Sequence, residues 1–407
     1  MDEKPRKPSV SVLELGAGHL KLLAVITGGH FGIHWFQQLF PVVLPSLKTQ
    51  LGLNDVQVGA LSSMRQLING AMDLPCGILA DSFARRRAPL LASALLSMGA
   101  GYFLMGALPV FAWLLTGCGM VGLGTALWHP AAAASLSNNF PERRATVLSI
   151  HGMGATLSDT LTPLLAGFLL LSVSLNGFLA VQLAPALFIA LLVWGGLARQ
   201  FSQTDTPAAL SEHLREMFAL AKNSTFVGIT LATSFMQMGR VVVLTFLPIY
   251  LQEHLGYSPF GLGVYIALLH AMGTFSQPVL GYLSDRLGRK AVLFPSFIIL
   301  GIFFALAPVV APGIPLALVV SAMGLFFYTL LNITFAAAMD VAASKLQATS
   351  YGLSSLMMQL VTSPTPILAG WLIGIYGIDS SFFLAGGLTL LGGLLLLPLK
   401  LYRGTKH

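Results

Sequence analysis

Nine ionisable side chains stand inside otherwise apolar stretches of this 407-residue chain: His30, His34, Arg65, Asp73, His129, His151, Asp159, Arg240 and His270. Near the centre of a bilayer such a group costs roughly 2.5–3.5 kcal/mol on insertion scales, so its retention marks a site where water or a partner relieves that cost. Arg65 and Arg240 each fall about midway along an apolar stretch, where the stem cannot lift the head group to the interface. A guanidinium held there is a two-pronged donor for carboxylate, phosphate or phosphonate. Asp159 is the single mid-stretch carboxylate, and even if it pairs with one arginine the other is left over. Imidazole titrates near pH 6.5, so His30, His34 and His151, with Asp159, are the candidate proton carriers.

The elements that must hold these groups follow from composition. The chain is 55% apolar and only 9% charged, with a mean hydropathy of +0.79. Soluble domains carry roughly 25% charge, so a water-soluble globule, a coiled coil and a disulfide scaffold are excluded. At about 20 residues per span, the sequence divides into twelve apolar stretches. They are 22–47, 55–80, 88–108, 111–138, 145–172, 175–198, 223–251, 259–283, 291–311, 314–340, 347–375 and 380–400. The expected fold is an all-α polytopic membrane protein with twelve transmembrane helices in two pseudo-symmetric six-helix bundles. On this reading 1–21 is an N-terminal tail, 22–198 the first bundle, 199–222 a polar linker, 223–401 the second bundle and 402–407 a C-terminal tail. Residues 208–220 within the linker have the pattern of a short amphipathic helix lying on the membrane surface. The first stretch is too long for a signal-peptide core and has no small-residue cleavage site, so it reads as an uncleaved span.

Threading alternate loops to opposite sides places 19 of the 22 lysines and arginines on one side, all but Lys48, Arg65 and Arg240. By the positive-inside rule both termini are then cytoplasmic, as expected for a multi-pass protein of the inner membrane. A net charge of +7 is scattered through these loops without the interleaved aromatics of a nucleic-acid groove, so no nucleic-acid partner is expected. Cys76 and Cys118 both lie in apolar stretches and read as packing residues.

Helical phase gathers the polar residues into stripes. His30, His34, Gln37 and Gln38 share one face of the first span, and Arg65, Gln66, Asn69 and Asp73 one face of the second. The fifth offers His151, Ser158, Asp159 and Thr162, the seventh Thr233, Gln237 and Arg240, and the eighth His270, Thr274 and Gln277. Tyr328, Asn332, Ser355, Gln359 and Thr362 extend the pattern into spans ten and eleven. None of the nine ionisable residues falls in spans three, six, nine or twelve. Stripes converging from seven helices describe a polar chamber. Plainer roles stay open: Asn69, Asn332, Ser355 and Thr362 also suit helix-to-helix hydrogen bonding, and His129 suits the carbonyl freed by Pro130. His270 suits a packed core, and Asp73 suits a gate as well as a substrate site. The His30/His34 spacing would fit zinc, but no HExxH and no cysteine accompany it. No metal, no cofactor and no enzymatic activity are expected, and the absence of a P-loop sequence excludes nucleotide-driven pumping.

The two halves repeat each other. Leu51-Gly52, Gly59, Gly77 and Asp81 recur as Leu255-Gly256, Gly263, Gly281 and Asp285 at an offset of 204, and Pro163-Leu-Leu-Ala-Gly167 recurs as Pro366-Ile-Leu-Ala-Gly370. A near-constant offset, 204 and then 203, over most of a half marks a duplicated six-helix unit. The segment Gly281-x-x-x-Asp285-Arg286-x-Gly288-Arg289-Lys290 matches the loop motif of the major facilitator superfamily in full. Gly77-x-x-x-Asp81…Arg85-Arg86-Arg87 is a copy that departs at Ser82 and Ala84. The chain therefore resembles that superfamily over all twelve spans, and Gly122-x-Gly124…Trp128-His129-Pro130 is similar to the fosmidomycin-resistance-type exporters within it. The span-five antiporter signature is degraded to Ser158-x-x-x-Thr162-Pro163-x-x-Ala166-Gly167, and its echo in span eleven favours helix packing over an export role.

That resemblance implies secondary transport by alternating access. The expectation is proton-coupled export, by antiport, of a small organic anion or drug-like compound, with import or facilitated passage of an anion such as a carboxylate as the alternative. Substrate contacts are expected from Arg65, Arg240, His34, Gln37, Gln66, Gln237, Trp128, His129, Tyr328, Asn332 and Gln359. Proton coupling is expected from Asp159, His30, His151 and Asp73. The conformational latch is expected at Gly77, Asp81, Arg85, Arg86, Gly281, Asp285, Arg286, Gly288 and Arg289. The partners are a small anionic substrate, protons and the lipid bilayer, and the protein is expected to act as a monomer.

Overall fold

The computed structural model describes residues 16–82, 87–140, 143–197, 210–341 and 347–401. Among the described residues the regular structure is helical throughout. The first half contains α1 (Ala17–Leu51), α2 (Asp55–Ser82), α3 (Arg87–Ala107), α4 (Phe111–Asn139), α5 (Arg144–Leu169), α6 (Leu175–Ala180) and α7 (Leu183–Leu197). A connecting helix α8 (Leu210–Ala221) lies within the expected linker and matches the short helix read there. The second half contains α9 (Ser224–Ile249), running on into a π-helical turn at Tyr250–His254, then α10 (Pro259–Leu287), α11 (Arg289–Leu306) and α12 (Ile314–Phe327). It closes with α13 (Thr329–Val341), α14 (Gln347–Thr362), α15 (Thr365–Tyr376) and α16 (Asp379–Leu395). Every one of the twelve apolar stretches is occupied by one helix or by two in succession. Among the described residues eight segments are long and apolar enough to cross a membrane. The helices α1, α2 and α5 are not among the eight, because the polar stripes they carry dilute their hydropathy.

Local sequence sets the helix ends. Asn54 and Gln57 cap α2 reciprocally, the Gln57 amide donating to Asn54 Oδ1 at 2.9 Å and the Asn54 amide to Gln57 Oε1 at 3.0 Å, a capping-box arrangement. Asn223 accepts from the Thr225 and Phe226 amides at the start of α9, and Ser258 caps α10 ahead of Pro259. Gly52 and Gly256, equivalent in the repeat, both turn the chain in the left-handed region, with φ of 60° and 70°. A side chain there would be strained.

The repeat also governs how the halves meet. An added Cβ at Gly59 on α2 would lie 2.2 Å from the Pro366 carbonyl oxygen on α15, and one at Gly263 on α10 would lie 2.2 Å from the Pro163 carbonyl oxygen on α5. Gly370 is equally close to the Asp55 carbonyl, and Gly167 to the Pro259 carbonyl. The equivalent residues thus make the same backbone-to-backbone crossing twice, with the halves exchanged. This explains the echo of the Pro163–Gly167 segment in span eleven as helix packing. Around these crossings Lys48 binds Asp55 at 2.8 Å and Glu253 of the other half at 2.7 Å. This is the tight end of the bundle. At the other end an added Cβ at Gly152, Gly281 or Gly352 would meet nothing within 4 Å.

Candidate functional site

Between the two ends, α1, α4 and α5 build one polar wall. His30 and His34 follow each other by one turn on α1, their rings meeting edge to face at 4.7 Å. His151 from α5 stacks flat on His30 at 3.9 Å, and His129 from α4 stands edge-on to His30 at 5.5 Å. Three of the four imidazoles are anchored through Nδ1. His30 Nδ1 meets the His151 carbonyl at 2.9 Å, His129 Nδ1 the Thr125 carbonyl at 2.9 Å, and His34 Nδ1 the Asp159 carboxylate at 2.7 Å. The carbonyl that Pro130 frees is that of Ala126, so the His129 side chain bonds its neighbour, Thr125, and not the freed carbonyl. Asp159 is buried, and Gln38 also donates to it at 2.9 Å.

The opposite wall comes from α9, α10 and the break between α12 and α13. Arg240 is 3% exposed. Its guanidinium lies over the rings of Phe327 and Tyr328, at 4.6 and 4.8 Å from their centres, and donates to Gln237 Oε1 at 2.5 Å. Its Nε has no hydrogen-bond partner. Tyr328 lies 3.3 Å from His270 Nε2, and His270 Nδ1 lies 3.9 Å from Asp159. A continuous polar chain therefore crosses from one half to the other: His34, Asp159, His270, Tyr328, Arg240. Arg65 on α2 stacks on Phe40 at 4.8 Å and donates to the Gln37 carbonyl at 3.1 Å, while the Gln37 side chain donates to Thr125. Ser62 and Thr245 bond across the halves just beside it, at 2.8 Å.

The pairing of Asp159 with an arginine, which the sequence left open, is not the one the fold makes. Histidine is its partner, and among the described residues neither Arg65 nor Arg240 has a carboxylate within ion-pair distance. The reason is placement: Asp159 faces α1 across a helix contact, whereas both arginines rest against aromatic faces. Trp128 is fully buried behind His30, at 6.5 Å ring to ring and against Gly29, so it supports the wall from outside the chamber. Gln359 is buried against Gly70, and its Oε1 has no partner. Gln66 is half-buried on α2. Asn332 is exposed, within 3.5 Å of Gln277. Asp73 accepts from Ser355 of α14 at 3.2 Å, a contact between halves that suits a gate.

The complete loop motif forms a compact ionic knot. Arg289 bonds Asp285 at 2.5 Å and reaches Asp340 at the end of α13 at 2.8 Å. Gly288 turns the chain with φ of 97°, and Arg286 is exposed beside Tyr282. Lys290 donates to the Leu397 and Leu399 carbonyls. In the degenerate copy Gly77 is within α2, facing Pro130 at 3.9 Å from an added Cβ. Arg85, Arg86 and the side chain of Asp81 lie outside the described residues. Arg87 is buried and donates to the Ala80 carbonyl at 2.9 Å.

Three participants were absent from the expected site. His270 and Gln38 stand on the polar stripes, yet no helical period says which stripe member touches a carboxylate on another helix. Phe327 carries no polar signal at all. Lys48 was visible as the stray cation of the threading, but its partner Glu253 is 205 residues away.

A polar chain buried where the two halves meet, in a body whose described residues are helical and apolar, is the interior that a membrane transporter requires. The family model described as Major Facilitator Superfamily matches residues 26–360, with a second match at 229–406. The chain belongs to that superfamily, and its business is transport, not catalysis. The inner membrane metabolite transport protein YhjE of Escherichia coli (strain K12) is 29% identical over 363 residues, covering 79% of this chain and 78% of the relative. The multidrug resistance protein MdtH of Shigella dysenteriae serotype 1 is 27% identical over 226 residues, 54% of this chain and 53% of its own. Among solved structures, a bacterial homologue of the human lysosomal transporter Spinster, inward-facing and unoccupied, superposes with a TM-score of 0.72 at 17% identity, covering 94% and 96% of the two chains. A peptide transporter in complex with sulfate gives 0.76 at 15%, covering 92% and 93%. At such identities the structures show a shared fold.

Proposed function

We propose that this chain is a proton-coupled exporter of a small organic anion, working by alternating access with twelve spans and both termini cytoplasmic. It acts as a monomer in the inner membrane. The observation that carries the reading is the buried guanidinium of Arg240 and the half-buried one of Arg65, both without a carboxylate partner among the described residues. A charge in that position is held at a cost unless an anion answers it, and the aromatic faces beneath Arg65 and Arg240 leave their edges free for a bidentate contact. Gln37, Gln66, Gln237 and Tyr328 supply neutral donors around them, with His34, His129, Asn332 and Gln359 completing the lining and Trp128 bracing it.

Asp159 and the histidines carry the proton. Protonation of Asp159 or the histidines competes with, or releases, the anion held by Arg65 and Arg240: a proton taken up from outside expels the anion there, and its loss to the cytoplasm readies the site for the next. Asp73 with Ser355, and the Arg289 knot, hold the latch end, with Gly77, Asp81, Arg85, Arg86, Gly281, Asp285, Arg286 and Gly288 in the two loop motifs. The likeness of the Gly122–Pro130 segment to fosmidomycin-resistance exporters supports a phosphonate among the anions. Import of a carboxylate is the second reading, favoured by the metabolite-transport name of the relative that spans most of the chain.

A thermal-shift screen of phosphonates, phosphates and carboxylates tests the anion reading. An anion that raises the melting temperature of the parent should lose its effect in Arg65→Ala and Arg240→Ala. Retention of the full shift in both variants would overturn it. Cells lacking the protein separate the directions: accumulation of the labelled anion supports export, and failed uptake supports import.

A further inference from the structure

We propose that His30, His34 and His129 form a binding site for a divalent transition-metal ion on the wall of the chamber, with coordination positions left open towards its interior. One ring nitrogen from each of the three lies within 4.8 Å of those of the other two. The hydrogen bonds decide which nitrogens are available. A carbonyl only accepts, so His30 Nδ1 against the His151 carbonyl and His129 Nδ1 against the Thr125 carbonyl must each carry the proton. His34 Nδ1 donates to the Asp159 carboxylate in the same way. In the neutral rings the lone pair is then on Nε2 in all three. His30 Nε2 is buried, in a side chain only 6% exposed, and has no hydrogen-bond partner.

This is the arrangement of imidazole metal ligands, in which the outer N–H is tied to a carbonyl or carboxylate that fixes the tautomer and raises the basicity of the inner nitrogen. A tetrahedral zinc ion with nitrogen ligands at about 2.0–2.1 Å sets those nitrogens about 3.3 Å apart. The approach this requires is available by pivoting the half-buried rings of His34 and His129 about their anchored Nδ1 atoms. Three protein nitrogens with open positions match the ligand count of an accessible zinc-type site and not that of a closed structural one. Imidazole sets suit zinc, nickel, copper and iron and exclude magnesium and calcium. The ligands must be neutral to bind, so metal and protons compete for this wall. The proposal shares residues with the transport pathway described above but stands without it, because its test reads metal binding and not flux.

The test uses the full-length chain, purified in detergent and stripped of metal, titrated calorimetrically with zinc chloride near neutral pH and, separately, with cobalt(II) followed by visible absorption. One zinc ion per chain is expected. His30→Gln, His34→Gln and His129→Gln should each weaken binding at least tenfold, Asp159→Asn should weaken it about ten- to hundredfold as an outer-sphere anchor, and His254→Gln, far away at the tight end, should leave it unchanged. If a variant loses its fold, judged by melting without metal, the parent's cobalt spectrum decides. Intense bands of a low-coordinate ion support the site, and a weak octahedral, aqua-like spectrum overturns it. Absence of stoichiometric zinc binding by the folded parent, or equal binding in the three histidine variants, would also overturn it.

Discussion

The two walls of the chamber solve the problem of buried charge in opposite ways. The first-half wall is four imidazoles, one carboxylate and an amide, with His34 and Gln38 both bonded to Asp159, at 2.7 and 2.9 Å. The second-half wall holds Arg240 on two aromatic rings and an amide oxygen, with no carboxylate. On the proposed reading the first wall takes up and releases the proton. The second cannot titrate near neutral pH, because guanidinium stays protonated, so it presents a constant positive field. One wall then changes its charge and the other does not, and the two meet through His270 and Tyr328.

The largest expected effect separates these roles. Asp159→Asn should reduce gradient-driven flux in proteoliposomes to the level of empty liposomes, while exchange of substrate across the membrane at equal pH continues. Loss of both would place Asp159 in the binding wall and erase the distinction. Next in size, Arg240→Ala should weaken binding of the anion by about ten- to hundredfold, as removal of a charged hydrogen-bond donor worth about 1.5–3 kcal/mol predicts. Arg240→Lys should recover only part of that, since ammonium has no planar fork. Full recovery in a calorimetric titration would argue for point charge alone.

That difference is absent where the halves cross at the tight end, and this sharpens the contrast. Gly59→Val and Gly263→Val should slow flux to a similar extent, each by forcing apart equivalent backbones, whereas Gly374→Ala, with nothing within 4 Å, should keep flux and gain up to about 1 kcal/mol in helix propensity. Unequal effects of the two valines would mean that the halves differ there as well. Smallest of all, Lys48→Ala removes a part-exposed ion-pair hub worth about 0.5–1 kcal/mol, and should change the initial rate of flux about two- to fivefold.

The sequence made the helices and the repeat legible because each leaves a periodic trace, but not the start of α1 at Ala17, inside the expected tail, nor the breaks that divide the stretches 175–198, 314–340 and 347–375. Hydropathy, the offset of 204, and the Gly52 and Gly256 turns are all local. It also placed Arg65, Asp159 and Arg240 outside spans three, six, nine and twelve. What it could not reveal was who touches whom. Asp159 met His34 instead of an arginine because of how α1 and α5 pack, and that contact spans 125 residues. Phe327 and Phe40 entered the site as cation platforms, a role that an apolar residue in an apolar helix does not announce. Trp128 carried the motif that prompted the comparison with exporters, yet its ring stands behind the histidines.

The most direct test of the account is the uptake or release of protons when the stabilising anion binds, measured by calorimetry in two buffers of different ionisation enthalpy, with the parent and Asp159→Asn compared. A wall that changes charge opposite one that does not predicts a proton exchange linked to binding in the parent and its loss in Asp159→Asn, with the anion still bound. An equal proton count in both proteins would contradict it.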